Sequence, residues 1–235
     1  MKNNTLNGLD IYAKVEDLLG MESVSPKLYE YYSTFLNVLE FQTLLDIGCG
    51  SGVFLDTLRT LYPQKDFFGI DKSYGMVQKA LNLGINAQHT TIDGVTERYD
   101  IATATFDMLN YLSKEELQEF FNSLTSVIKP GGFFLFDLNS EFGLSELAVG
   151  NFIAQDATRF VTIESDYKEG IYDSEFNLFE KEGKNYKRYT GKIEQYLHKQ
   201  DFFDSLGGWE IKSRLPIKLY DMQDFDKIIY ILQRT

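Results

Sequence analysis

The sequence predicts an α/β fold built on a mostly parallel sheet, and three observations carry this prediction. The segment LLDIGCGSGVF, residues 44–54, is an apolar run that reaches Asp46 and then passes through three alternate glycines into a helical pattern. A second apolar run ends at Asp71, at about the 20-residue spacing of a nucleoside-binding acid. Strand and helix patterns then alternate as far as residue 137, an order typical of parallel sheets.

The individual elements follow from local signals. Ser25 and Pro26 predict the start of an N-terminal helix, because serine caps helices and proline suits their first turn. Ser73 predicts a second cap, and Ser113 with Glu116 predicts a capping box. The run KPGG, residues 129–132, predicts the stop of the following helix. Five strands are predicted at residues 43–47, 66–70, 85–91, 99–105 and 133–137.

The pattern changes over residues 154–197, which are rich in aromatic and β-branched residues punctuated by glycine. We expect antiparallel strands here, added to the sheet edge or folded over its carboxyl end. A helix near residues 201–206 and strands at 210–214 and 227–233 then complete the pattern. The prediction is one domain, residues 1–235, with a Rossmann-like sheet of seven mostly parallel strands, a core at 25–140 and an antiparallel β insertion at 154–197.

Composition limits the class of protein. The 235 residues carry 35 acidic and 23 basic side chains, a formal charge of -12, which disfavours a nucleic-acid partner because phosphates would be repelled. No apolar run approaches the ~20 residues of a membrane span, and the start has no apolar signal segment. We therefore expect a cytoplasmic protein without a membrane partner, either a monomer or a homodimer. The single cysteine, Cys49, is interpreted as a small side chain beside a ligand.

The order of the glycines distinguishes between two nucleoside cofactors. The dinucleotide fingerprint is G-x-G-x-x-G, but here the sequence is Gly48-Cys49-Gly50-Ser51-Gly52 and Val53 stands at the third position. Asp46 at the mouth of the turn would repel a pyrophosphate and attract an ammonium group. A ligand with an amino acid at one end and a ribose at the other fits better, and S-adenosylmethionine is such a ligand.

The chain resembles the class I S-adenosylmethionine-dependent methyltransferases. The D-x-G-x-G-x-G segment, the GID of the second strand, YDIATATFDMLNYL and IKPGGFFLFD occur in the order and at the spacing of that family. The resemblance covers roughly residues 25–139 and is specific for fold and cofactor. FDMLNYL and the polar β segment after it are most similar to bacterial small-molecule enzymes of the sugar N-methyltransferase type.

The resemblance implies a set of cofactor contacts at the carboxyl ends of the strands. Gly48 and Gly50 would lie under the methionine and ribose portions, and Asp71 would bind the ribose hydroxyls. Asp93, His89 or backbone groups alone remain open as the adenine contact, with Asp93 preferred. The predicted cofactor-binding residues are Tyr12, Asp46, Gly48, Cys49, Gly50, Asp71, Lys72, Met76, His89, Asp93 and Phe106.

Methyl transfer needs alignment of a nucleophile and exclusion of water more than a dedicated triad. The residues predicted to face the acceptor are Asp107, Asn110, Tyr111, Asn139 and His198. The insertion at 154–197, with the Tyr12 segment, is expected to cover this site. The resemblance implies a small-molecule acceptor methylated at nitrogen or oxygen. We expect no metal site. A protein or RNA methyltransferase, a non-catalytic S-adenosylmethionine-binding regulator and a nicotinamide dehydrogenase are the alternatives.

Overall fold

A computed structural model describes residues 4–235, so the first three residues of the predicted domain lie outside it. The strands are β1 (Asn4–Thr5), β2 (Thr43–Ile47), β3 (Asp66–Asp71), β4 (Ala87–His89), β5 (Tyr99–Ala104), β6 (Ile128–Asn139), β7 (Gly150–Gln155), β8 (Arg159–Lys168), β9 (Ile171–Glu182), β10 (Asn185–Tyr196), β11 (Trp209–Ile217) and β12 (Lys227–Arg234). The α-helices are α1 (Gly8–Val15), α2 (Ser25–Leu36), α3 (Val53–Leu61), α4 (Tyr74–Asn82), α5 (Lys114–Val127) and α6 (Gln200–Asp204).

Seven strands form the main sheet, in the order β11-β12-β6-β5-β2-β3-β4. Strands β2 to β6 pair in parallel, whereas β12 is antiparallel to both β6 and β11. The predicted Rossmann-like α/β sheet of seven mostly parallel strands is therefore confirmed. Strand order reverses between β2 and β5, and ligands of such sheets bind at the carboxyl ends of the strands beside that point.

Two of the predicted helix starts have the expected caps. The Ser73 hydroxyl accepts a hydrogen bond from the Met76 N–H at 3.3 Å, and Ser113 and Glu116 form the reciprocal capping box that opens α5. The start of α2 differs, because Val24 occupies the cap position and Ser25 already lies within the helix. The Ser25 hydroxyl instead donates to the Met21 carbonyl at 2.7 Å, so this serine ties the helix to the turn before it.

Two strand boundaries also differ from prediction. Strand β4 pairs only over Ala87–His89, since it is the edge of the sheet and has a neighbour on one side alone. Strand β6 already begins at Ile128, directly after α5. The register between β5 and β6 shifts from Tyr99↔Ile128 to Ile101↔Phe133, so the KPGG run is a bulge within β6.

The insertion forms a second sheet of its own, in the order β1-β10-β9-β8-β7. Its strands are antiparallel except that β1 runs parallel to β10, and none of them pairs with a strand of the main sheet within residues 4–235. Helix α1 packs on this sheet, with Ile11 and Val15 buried against Val161 and Leu178. The sheet thereby holds the N-terminal helix close to the main sheet.

No helix within residues 4–235 combines the length and the apolar character that a membrane crossing needs.

Candidate functional site

The turn after β2 has the backbone that only glycine adopts readily. Gly48, Gly50 and Gly52 have φ angles of +75°, +55° and +83°. The N–H groups of Gly48 and Cys49 both donate to the Ile70 carbonyl, at 2.8 and 3.0 Å, which ties the turn to β3. A Cβ atom at Gly50 would meet no atom within 4 Å, so this face of the turn is open to a ligand.

Asp71 lies at the end of β3, directly beside this turn. Its carboxylate accepts hydrogen bonds from the Gly50 N–H at 2.9 Å and from the Ser73 N–H at 2.7 Å. Burial raises the pKa of Asp71 above its ordinary value, and the two N–H groups oppose that rise. The carboxylate is therefore fixed in orientation, with lone pairs left to accept hydrogen bonds from a bound molecule.

Asp46, at the end of β2, is fully buried. The Thr103 hydroxyl donates to its Oδ1 atom at 2.7 Å, whereas Oδ2 has no hydrogen-bond partner among the described residues. Burial raises the pKa of Asp46 to about 7; Thr103 opposes this rise and nearby Asp71 adds to it. A buried carboxylate oxygen without a partner is costly, and a cationic group placed nearby would compensate for that cost.

A cavity of about 1280 Å³ opens at these strand ends. It exceeds the ~300–1,000 Å³ of common small-molecule sites, so it has room for a cofactor and a second small molecule. Of the predicted cofactor-binding residues, those that line it are Tyr12, Gly48, Cys49, Gly50, Asp71, Lys72, Met76, Asp93 and Phe106. Asp46 and His89 are not among its lining residues.

The two side chains considered for the adenine contact differ in position. Asp93 lines the cavity and accepts a hydrogen bond from the Ser123 hydroxyl. His89 instead pairs through Nε2 with the Lys72 carbonyl at 3.0 Å, and its ring meets Tyr74 edge-on. The cavity wall here also includes the buried side chain of Ile92. The adenine contact stays a prediction, for which Asp93 has the position and His89 does not.

Of the five residues predicted to face the acceptor, Tyr111 lines the cavity and the other four do not. The Asn110 amide uses both ends internally: Nδ2 donates to the Tyr196 carbonyl at 2.8 Å, and Oδ1 accepts from the Asn139 N–H at 3.0 Å. Asp107 is engaged by Lys227 and by Gln195. The Asn139 side chain turns toward Gln195 as well, at 3.4 Å.

His198 lies in a separate pocket of about 470 Å³. Its Nε2 atom pairs with the Leu109 carbonyl at 2.9 Å, and burial lowers its pKa below the ordinary value. This geometry gives His198 a contact that supports the turn after β5, and it does not bring the imidazole to the large cavity.

Residues 9–21 contribute to the lining of the cavity and are held by contacts on two sides. Glu16 accepts hydrogen bonds from the Ser51 hydroxyl at 3.0 Å and from Lys79 at 3.1 Å, next to the glycine turn and α4. On the other side, Arg159 of β8 pairs with Asp17 at 2.6 Å. The β insertion therefore holds α1 and its Tyr12, whereas no residue of 150–196 is among the cavity lining of the described chain.

Sequence reasoning missed three residues that shape this region. Tyr29 and Met108 line the cavity, and Lys227 lies buried beneath its wall. The sequence does not distinguish Tyr29 from the neighbouring tyrosines, because packing of the helix explains all of them equally well. Lys227 had a signal in the sequence, because it is a charged residue directly before the apolar run IIYIL.

Comparison with known proteins finds a family match over the part of the chain that carries the glycine turn and Asp71. The family described as methyltransferase domain matches residues 44–132. YqeM of Bacillus subtilis (strain 168), named as a candidate methyltransferase, is 31% identical over 113 residues, which are 44% of this chain and 45% of YqeM. The match thus spans less than half of that relative.

Solved structures share the fold over nearly the whole chain. An S-adenosylmethionine-dependent methyltransferase from Clostridium acetobutylicum ATCC 824 has a TM-score of 0.73 at 22% identity, covering 95% of this chain and 96% of that one. CalS10, an amino pentose methyltransferase from Micromonospora echinaspora with S-adenosylmethionine bound, has a TM-score of 0.64 at 14% identity over 100% of both chains. The chain therefore shares the fold of these S-adenosylmethionine-dependent methyltransferases, and its residues 44–132 are similar to the methyltransferase domain family.

Proposed function

We propose that this protein transfers the methyl group of S-adenosylmethionine to a nitrogen or oxygen atom of a small-molecule acceptor. The observation that carries this function is the cavity itself, whose lining includes the open glycine turn and the fixed carboxylate of Asp71. Asp46 lies two residues before Gly48, and its buried Oδ2 atom has no hydrogen-bond partner among the described residues. These groups match the backbone contact, the ribose and the ammonium of such a cofactor.

The chemistry of the reaction determines what the cofactor supplies and what the protein must do. The sulfonium supplies an activated methyl group, so the protein has to bind, orient and keep water out. Asp71 is placed to accept hydrogen bonds from the ribose hydroxyls, and Asp46 to favour the ammonium through its negative charge. Phe106 and Tyr29, whose rings meet edge-on at 5.9 Å, supply an apolar wall of the cavity.

The charge of the cavity lining favours a neutral or cationic acceptor. Among the described residues, the lining includes seven carboxylate side chains, whereas Lys72 is its one basic residue. A polyanion such as RNA or a phosphorylated small molecule would be repelled by this lining. Tyr12, Tyr29 and Tyr111 instead offer rings and hydroxyls to a polar organic molecule. CalS10 is an amino pentose methyltransferase, which supports a small polar acceptor here.

The test is a screen with S-adenosylmethionine labelled in the methyl group. The protein is incubated with pooled metabolites that include amino sugars and neutral sugars, and also with total RNA and a cell protein extract. We expect label in the small-molecule fraction and formation of S-adenosylhomocysteine. Label in RNA or protein would replace the proposed acceptor class, and cofactor binding without any turnover would favour the non-catalytic regulator. Asp71→Asn is the matched control for label that does not depend on the bound cofactor.

A further inference from the structure

A fully buried lysine bridges two carboxylates beneath the wall of the cavity. Lys227 is the first residue of β12, and its side chain is 2% exposed. Its Nζ atom contacts Asp107 Oδ1 at 2.5 Å and Asp137 Oδ2 at 2.9 Å. Lysine is almost never fully buried unless it is paired. The bridge joins the ends of β5 and β6 to the start of β12, which are the carboxyl ends of the parallel strands and the neighbouring antiparallel strand.

The turn that this bridge holds has an unfavourable backbone. Phe106 and Asp107 are consecutive residues with φ angles of 55° and 53°, in the left-handed region that side-chain-bearing residues rarely adopt. Their N–H groups donate to the two oxygens of Asp137, at 2.8 and 2.9 Å. Such strain persists where the surroundings fix it, and it is concentrated at functional sites. Here the Asp137 carboxylate fixes it, and Lys227 holds that carboxylate.

The turn carries part of the cavity wall. Phe106 and Met108 both line the cavity. Met108 packs on the glycine turn so closely that a Cβ atom on Gly48 would lie 2.5 Å from the Met108 Cγ atom. Between these two residues, Asp107 points away into the bridge, and its Oδ2 atom accepts a hydrogen bond from Gln195 at 2.6 Å. The bridge is thus joined to the wall where cofactor and acceptor would meet.

The charges explain why a cation is required at this place. Asp107 and Asp137 both contact one Nζ atom, so the ammonium group offsets the repulsion between a fully buried carboxylate, that of Asp137, and a partly buried one, that of Asp107. Burial alone would lower the pKa of Lys227, but Asp107 and Asp137 outweigh that effect and hold it above the ordinary value. The Tyr32 hydroxyl donates the remaining hydrogen bond, to Asp137 Oδ1 at 2.8 Å.

We propose that Lys227 is a positioning residue for methyl transfer: by bridging Asp107 and Asp137, it holds the Phe106–Asp107 turn in the shape that walls the acceptor side of the cavity. This role presupposes the methyl transfer proposed above, and it adds a residue that touches neither cofactor nor acceptor. Lys227 acts through this turn and is not itself among the residues that line the cavity.

The test compares Lys227→Met, which keeps the length and removes the charge, with Lys227→Arg, which keeps the charge. Lys212→Met is the matched control, because Lys212 forms a surface pair with Glu210 on β11. For Lys227→Met we expect kcat to fall by a factor of about ten or more with the acceptor found in the screen. In calorimetry, its S-adenosylhomocysteine affinity should stay within about threefold of wild type. Lys227→Arg should recover part of the lost kcat, and Lys212→Met should behave as wild type.

Wild-type kcat in Lys227→Met would overturn this role. So would a loss of kcat that is accompanied by an equal loss of S-adenosylhomocysteine affinity, which is the signature of a structural role alone. If Lys227→Met does not fold, Lys227→Arg and Asp107→Asn give the same comparison of kcat against affinity. Crystal structures decide the matter without an acceptor: we expect Phe106 and Asp107 to leave the left-handed region in Lys227→Met. An unchanged turn there refutes the positioning role, whereas a wild type without any acceptor refutes the proposed function.

Discussion

Replacing Asp71 with asparagine tests the cofactor site at its most defined point. The change keeps the size of the side chain and removes its charge. In the native site, the two carboxylate oxygens accept from the Gly50 and Ser73 N–H groups at 2.9 and 2.7 Å. An asparagine has only one acceptor oxygen, so its NH2 group must face one of these donors. The variant therefore loses both the charge and part of the support of the glycine turn.

The expected magnitude follows from the hydrogen bonds at stake. A hydrogen bond to a charged group contributes about 1.5–3 kcal/mol, and about 1.4 kcal/mol corresponds to a factor of ten in affinity. Loss of one ribose contact therefore predicts a weakening of about tenfold to 100-fold, and loss of both predicts more. Burial raises the pKa of Asp71, because removing the carboxylate from water disfavours its charged form.

Calorimetric titration with S-adenosylhomocysteine is the assay, and Asp66→Asn is the control, because Asp66 lies at the exposed opposite end of the same strand. The melting temperature of each variant separates lost binding from lost folding. An Asp71→Asn variant that folds and binds S-adenosylhomocysteine as tightly as wild type would show that the ribose is not held at Asp71.

Three further predictions follow from the same geometry. Gly50→Ala should weaken S-adenosylhomocysteine binding in calorimetry, because the added Cβ atom would project into the open space of the cavity; unchanged affinity would mean that no ligand lies on this turn. The same change should lower the unfolding free energy by about 1–2 kcal/mol, because φ is +55° at this position. Binding of S-adenosylhomocysteine should weaken as pH falls from about 8 to 6, because burial raises the pKa of Asp46 to about 7 and only the ionised carboxylate favours an ammonium group. Asp46→Asn should remove this dependence of affinity on pH, and a wild-type affinity that does not change with pH would contradict the prediction. Ser113→Ala should lower the unfolding free energy by about 1 kcal/mol in urea denaturation without changing cofactor affinity, because it removes the capping box of α5; a coupled loss of affinity would contradict the separation of cap and site.

The sequence predicts those parts of the fold that depend on neighbours along the chain. The glycine turn, the Ser73 cap and the capping box at Ser113 each rest on residues within a few positions of one another, and the structure has them as expected. The bulge at residues 129–132 was missed because proline and glycine also stop helices, and only the pairing partner reveals a bulge.

Site residues were predictable where local chain geometry fixes their position. The position of Asp71 beside the glycine turn, for example, follows from the length of one strand–helix–strand unit. In contrast, Asn110 and His198 carry suitable chemistry, but their partners Tyr196 and Leu109 lie 86 and 89 residues away in sequence, and those long-range contacts turn both side chains to structural use. The bridge of Lys227 to Asp107 spans 120 residues and was invisible for the same reason.

The central claim is that the cavity at the glycine turn binds S-adenosylmethionine and not a dinucleotide. Calorimetric titration of the wild-type protein with S-adenosylhomocysteine and, separately, with NAD measures this directly. We predict saturable binding of one S-adenosylhomocysteine per chain and no binding of NAD under the same conditions. Saturable binding of NAD without binding of S-adenosylhomocysteine would contradict the account.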